Sequence, residues 1–249
     1  MPRLRFQHSD LLTNDLTMMI NGRRNIGKTT LLFNMLTTPG ILDFNNLMIY
    51  SKTNEQFLYR FLRYGFENNL KKEWIKNLLK VFENDNNLEE NEIEEMCRST
   101  AEKYPDSVNR EEISVLISND INKFEVTKLN KNKKNIMCFD DSSSDRDQSI
   151  QTSFFQKGRH FNCAVIYLTH RFHEPMLKPI RGNTSVFCLF EISQKILQEI
   201  YRDINLCMGR QEFYQLASSA WSDPEERNYL LINTESQQDR RVLVSPFRF

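Results

Sequence analysis

Asn21-Gly22-Arg23-Arg24-Asn25-Ile26-Gly27-Lys28-Thr29-Thr30 fits the pattern G-x-x-x-x-G-K-[ST], with Gly22, Gly27, Lys28 and Thr29 at its fixed positions. So short a pattern recurs by chance, and its flanks decide the reading. Before it, Leu16-Thr17-Met18-Met19-Ile20 is a mostly apolar run of the kind that makes a buried strand. After it, Thr29 to Leu36 has helical apolar spacing and stops ahead of Pro39-Gly40, a helix terminator. Strand, loop and helix in that order make a phosphate cradle, because successive backbone N–H groups and the helix dipole converge on negative charge. Gly22 through Thr30, with Arg23, Arg24, Asn25 and Ile26 between the fixed positions, is therefore the expected nucleotide-binding loop. Within it Lys28 is expected to reach the β- and γ-phosphates, and the Thr29 hydroxyl to ligate Mg²⁺.

A second apolar run, Asn135-Ile136-Met137-Cys138-Phe139, ends in Asp140-Asp141. Two acids at a strand tip, some distance after a phosphate-binding loop, supply what nucleotide hydrolysis still lacks. Asp140 is expected to hold Mg²⁺ opposite Thr29. Asp141 would polarise the attacking water as general base, which needs a carboxylate within hydrogen-bond reach. A third run, Ala164 to Leu168, ends in Thr169-His170, where polar groups are placed to sense the γ-phosphate.

The remaining elements follow the same alternation. Asn46 to Tyr50 reads as a strand followed by Ser51-Lys52-Thr53, either a ligand-contacting loop or the cap of a helix beginning near Asn54. Glu55 to about Val81 and Ile192 to Ala217 have helical spacing, as does a segment around Gln148 to Gln156. Thr184 to Phe190 reads as a strand, and Asn228 to Asn233 with Arg241 to Val244 as a closing hairpin. Residues 83–130 read as an acidic, asparagine-rich, partly helical insertion. The basic positions Lys128, Lys131, Lys133 and Lys134 read as a solvated approach to the Asp140 strand. The fold class is α/β: a P-loop NTPase with a mostly parallel central sheet flanked by helices.

With 249 residues and only 7 glycines and 7 prolines, no flexible linker is evident, so one domain spanning 1–249 is expected. No apolar run approaches membrane-span length, and Met1 to Phe6 lacks the apolar core of a secretory signal. Lysine plus arginine balances aspartate plus glutamate at 33 each, so net charge gives no argument for nucleic acid. Five isolated cysteines form no C-x-x-C pair and point to a reducing, intracellular setting. His160-x-x-Cys163 and His170-x-x-His173 are separated by an apolar run and do not read as zinc ligands. GTP specificity is unexpected, since Asn130-Lys131-Asn132-Lys133 lacks the aspartate of a guanine-reading motif and precedes its strand.

Taken in order, the Gly22–Thr29 loop, Met48 to Thr53 with Gln56 and Tyr59, Ile136 to Asp141, Gly158-Arg159-His160, Tyr167 to His170 and Ile180 to Asn183 resemble one family. It comprises the genome-packaging ATPases of large and mid-sized eukaryotic DNA viruses, of the poxvirus and the adintovirus and Polinton types, within the FtsK–HerA superfamily. The resemblance runs from about Leu16 to Phe190, and more loosely to the C-terminal hairpin. It implies a homo-oligomeric ring that uses ATP and Mg²⁺ to drive double-stranded DNA into a preformed capsid. It further implies a capsid or portal-vertex protein as partner, and a place in the nucleus or cytoplasm of an infected cell or in association with the virion. In such rings an arginine from the neighbour enters each site, and Arg159 and Arg181 are the candidates. The family usually carries glutamine where this chain has His170, and a neutral imidazole also hydrogen-bonds to phosphate or water. Many relatives in the wider superfamily use glutamate where this chain has the shorter Asp141. The alternative is a nucleotide-dependent switch or scaffold with weak ATPase acting through a partner; the intact lysine, threonine and two acids favour the motor.

Overall fold

In chain order the elements are β1 (Thr17–Asn21), α1 (Lys28–Thr37), β2 (Asn46–Ser51), α2 (Phe57–Glu67), α3 (Lys72–Phe82), α4 (Glu90–Lys103), β3 (Ser114–Ser118), β4 (Asn135–Asp140), α5 (Ser149–Lys157), β5 (Cys163–Thr169), α6 (Lys178–Gly182), β6 (Val186–Leu189), α7 (Gln194–Asp203), α8 (Arg210–Ala220), β7 (Leu230–Asn233) and β8 (Val242–Val244). The computed structural model describes residues 6–82, 88–223 and 225–247. Residues 1–5 of the stretch read as no secretory signal, and residues 83–87 of the acidic stretch, lie outside the described residues.

The strands form one sheet in the order β3-β2-β4-β5-β1-β6-β7-β8. β1 to β6 run parallel, and β7 and β8 add an antiparallel hairpin at one edge. A parallel strand covered on both faces must be apolar on both, and side-chain alternation divides its residues between two cores. Ile20, Ile166 and Leu168 join Leu32, Phe33, Phe61 and Ile93 under α1 to α4. Met19, Val165 and Tyr167 join Phe154, Ile180, Ile200 and Phe213 under α5 to α8. Cys138, Cys163 and Cys188 are buried within their strands as small hydrophobes.

Three segments differ from their sequence reading. The helical stretch from Glu55 breaks into α2 and α3 at Asn69, which takes left-handed φ 56°, while Leu70 bridges Val108. The stretch from Ile192 likewise breaks into α7 and α8, with Cys207 left-handed at φ 56° between them. At both breaks the chain leaves the helical region while the apolar spacing runs on past it. Within the acidic insertion, α4 buries Ile93 and Cys97, and β3 then joins β2 in parallel, with Leu116 opposite Met48. That edge strand was not foreseen.

The basic cluster is largely occupied within the chain. Lys134 pairs with Asp43 at 2.6 Å, Lys128 with Glu125 at 2.6 Å, and Lys133 Nζ donates to Ser114 Oγ at 2.6 Å. Lys131 lies 4.5 Å from the Phe161 ring centroid. At the tip of β2, Ser51 Oγ accepts from Thr53 N at 3.2 Å, and α2 begins only at Phe57 with Gln56 before it. Neither Ser51 nor Thr53 caps that helix.

Candidate active site

Parallel strands put their C-terminal tips at one edge of a sheet, and here β1, β5 and β4 stand side by side. Asn21 is level with Thr169, and Phe139 with Tyr167, so the residues after each strand emerge together. Gly22 N donates to Thr169 O at 3.2 Å and Asn21 Nδ2 to the same oxygen at 3.3 Å. A Cβ on Gly22 would stand 2.7 Å from Phe190 Cβ, so only glycine passes there. Asn25 and Gly27 take left-handed φ of 59° and 106°, and Gly27 opens α1, whose first-turn N–H groups have no partners within the helix. Ile26 is buried, whereas Arg23, Arg24, Asn25 and Thr30 are exposed.

Lys28 Nζ donates to Gly22 O at 2.9 Å and Arg23 O at 2.8 Å, which folds the ammonium across the loop. Burial lowers its pKa, while Asp140 and Asp141 oppose the shift. Asp140 is buried, and its Oδ2 accepts from Tyr59 Oη at 2.6 Å and from Thr29 Oγ1 at 3.5 Å. Burial pushes the Asp140 carboxyl up; the Tyr59 hydrogen bond and Lys28 draw it down. A hydroxyl and a buried carboxyl form an all-oxygen donor pair, which fits a hard cation such as Mg²⁺.

Asp141 follows with left-handed φ 52° and remains partly exposed. His170 lies close enough to Lys28, Asp141 and Arg24 to feel all three charges, and burial, then Lys28, lower its pKa. Both effects favour the neutral imidazole, which can donate from one nitrogen and accept at the other. The two loop arginines differ: Arg24 acts on both Lys28 and His170, whereas Arg23 pairs with exposed Glu191 at 3.2 Å.

Behind this group a second network braces the tips of β2 and β4. Lys52 Nζ meets Asp145 at 2.5 Å and Ser144 Oγ at 2.9 Å, and Tyr50 Oη donates to Asp145 at 3.3 Å. Gln148 Nε2 donates to Ser142 O at 2.6 Å and its Oε1 accepts from Tyr167 Oη at 3.1 Å. Lys52 thus braces the loop after the two acids.

Arg159 and Arg181 are not part of the group. Arg159 is exposed in the turn that precedes β5, at the opposite edge of the sheet from the loop, and lines a polar cavity with Thr17, Thr184 and Ser185. Arg181 Nη1 donates to Phe172 O at 2.6 Å and Glu174 O at 3.5 Å, and its guanidinium lies 5.4 Å from the Phe172 ring centroid.

Tyr59 is among the residues that carry the resemblance, but the sequence does not disclose its task, which is the hydrogen bond to Asp140. Tyr59→Phe keeps the packing of the ring and removes one hydrogen bond to a carboxylate. We expect about tenfold weaker Mg²⁺ affinity, the low end of losses for groups that orient a metal ligand. Because the lost bond was lowering the Asp140 pKa, that pKa rises further. An activity requiring ionised Asp140 then fails at higher pH on the acid side. Hydrolysis followed against pH checks this: an unmoved acid limb would make Tyr59 a packing residue only.

Comparison with known proteins places the chain among viral ones. The family model described as "Poxvirus A32 protein" matches residues 84–244, from the acidic segment through β8, and the Gly22–Thr29 loop precedes that span. No curated protein matches the chain. Among solved structures, the genome packaging NTPase B204 from Sulfolobus turreted icosahedral virus 2 with ATP-gammaS has a TM-score of 0.45 at 9% identity, covering 94% of this chain and 97% of that one. The same protein with AMPPCP has a TM-score of 0.47 at 10% identity, covering 92% and 96%. B204, the DNA-packaging ATPase from Sulfolobus Turreted Icosahedral Virus, has a TM-score of 0.43 at 13% identity, covering 92% and 96%.

Proposed function

Because this chain belongs to the poxvirus A32 protein family, we propose that it is a viral DNA-packaging ATPase, a Mg²⁺-dependent ring motor that drives double-stranded DNA into a preformed capsid in the infected cell. The observation that carries the reading is the hydrogen-bonded set Tyr59–Asp140–Thr29, with Lys28, Asp141 and His170 in its electrostatic reach.

Phosphoryl transfer asks a protein mainly for positioning and charge. The loop amides and the α1 N-terminus bind phosphate oxygens, and Lys28 neutralises charge at the β- and γ-positions. Thr29 and Asp140 would hold Mg²⁺, which when bound offsets charge on the β- and γ-oxygens. Asp141 orients the attacking water and takes its proton. Neutral His170 hydrogen-bonds to the γ-phosphate or that water without adding charge. Arg159 is the arginine supplied to the adjacent copy, since Arg181 is already committed to its own chain's carbonyls. Among the described residues no helix is long and apolar enough to cross a membrane.

Steady-state ATP hydrolysis with and without duplex DNA tests the proposal. Turnover should rise with DNA at low salt, and DNA affinity should fall steeply as salt is added, because phosphate contacts release counterions. Lys28→Ala should cost about 100-fold or more in kcat/KM, in line with the loss of a group aimed at developing charge. Turnover indifferent both to DNA and to Lys28→Ala would sink the motor; binding of ATP with negligible turnover would point to a switch acting through a partner.

A further inference from the structure

The cluster at the tips of β1 and β4 accounts for phosphates, metal and water, but not for the rest of a nucleotide. On the other side of β1 from β4, a cavity of about 650 Å³ opens between α1 and the two C-terminal strands. Gly27, Thr30 and Asn34 line it from α1, Phe190 from the tip of β6, and Arg227 and Tyr229 from the approach to β7. Its volume lies in the range of small-molecule sites. It also shares Gly27 with the phosphate-binding loop, and Asn34 stands about 10 Å further along the helix, at 1.5 Å per residue. A triphosphate held at Lys28 and Thr29 would carry its sugar and base over that span.

Two backbone outliers meet at this cavity. Arg227 has φ 48° and Ser245 φ 38°, left-handed values that residues other than glycine rarely adopt, and both line it. The surrounding bonds impose them. Ser245 N donates to Tyr229 O at 2.9 Å, Tyr229 N to Ser245 Oγ at 3.0 Å, and Ser245 Oγ to Asn228 Oδ1 at 2.8 Å. The bend at Arg227 sends its side chain across the loop: its Cδ lies 3.7 Å from where a Cβ on Gly27 would stand. The guanidinium is exposed, and among the described residues no carboxylate lies within ion-pair distance of it. Glu226, the acid in the same lining, instead accepts from Asn228 Nδ2 at 2.6 Å, and a cation held beside Phe190 and Tyr229 is suited to cover the face of a ring.

We propose that this cavity takes the purine base and ribose of the nucleotide, and that Arg227 clamps the base by stacking on it. The inference rests on reading Gly22 to Thr29 as the phosphate site. It assigns to the C-terminal hairpin the half of nucleotide binding that the loop does not perform, and makes affinity depend on the base as well as on the phosphates.

Calorimetric titration of the full chain with Mg²⁺-ATP and with Mg²⁺-tripolyphosphate separates the two halves. Arg227→Gly is the variant of choice, because glycine accepts the left-handed backbone and the fold is kept. It should weaken ATP about tenfold, the scale of one lost stacking contact, and change tripolyphosphate less than twofold. Lys28→Ala should weaken both. Equal losses for the two ligands in Arg227→Gly would make Arg227 a phosphate contact and overturn the proposal, as would unchanged ATP affinity. Wild-type protein that binds neither ligand would instead refute the phosphate-site reading on which the inference stands.

Discussion

Arg159→Ala is expected to lower ATP turnover by about 10³-fold or more, the measured scale of an arginine finger in other phosphoryl-transfer systems, and to leave ATP affinity unchanged. Hydrolysis returns when Arg159→Ala protein is mixed with Asp141→Asn protein, because some interfaces then join an intact Asp141 site to a neighbour's intact Arg159. If Arg159 is the finger, its place before β5 means that it acts on an adjacent copy. Arg159 precedes β5, whereas Thr169 and His170 finish it, and a seven-residue strand spans about 23 Å. No arginine side chain reaches its own chain's loop across that distance. Arg181 makes the useful contrast. With the Arg181 guanidinium on two backbone carbonyls and against Phe172, Arg181→Ala strips a charged donor from part-buried acceptors. It should cost about 1.5–3 kcal/mol of stability and not be rescued by Asp141→Asn protein. A melting curve and the mixing assay read the two separately. Complementation by Arg181→Ala but not Arg159→Ala would reverse the assignment.

The parts of the fold that announce themselves in the sequence are those where one physical demand dominates. β1, β4, β5 and β6 are buried on both faces and must be continuous apolar runs, so their limits fall within a residue or two of the observed ones. Their tips carry the loop, the two acids and Thr169-His170 for the same reason: the sheet gathers its C-terminal ends, and local order alone reveals the gathering. β3 escaped because an edge strand satisfies only one neighbour. Ser114 and Val115 are half-buried and Leu116 is exposed, and the run follows a string of acids that reads as solvated. The contacts of Tyr59 and Arg227 escaped for a different reason. Each owes its place to a partner far away in sequence, Asp140 in one case and Gly27 in the other, and no periodicity encodes such a meeting. Preferring Arg159 to Arg181 as the finger likewise rests on surroundings that no local sequence pattern carries.

Asp141→Asn should reduce kcat by about 10²–10⁴-fold, the range for loss of a positioned general base, with ATP and Mg²⁺ affinities nearly unchanged. The backbone makes this a clean substitution. Asp141 adopts φ 52°, a region in which aspartate and asparagine are several-fold enriched over other non-glycine residues. Asparagine therefore keeps the turn after β4, and with it the position of Asp140, while it surrenders the negative charge. Asp141→Glu is the instructive comparison. A longer carboxylate keeps the charge but is less at ease in a left-handed turn and extends further toward the loop, so its activity should fall between wild type and Asp141→Asn. The left-handed turn favours aspartate over glutamate at this position. Single-turnover hydrolysis with bound ATP measures the chemical step directly. Full turnover in Asp141→Asn would move the proton acceptor elsewhere, and His170, whose imidazole is drawn toward the neutral form by burial and by Lys28, is the candidate at the site. His170→Gln would then abolish the residual activity, whereas with Asp141 as base it should spare most of it, since a glutamine still donates and accepts at that position.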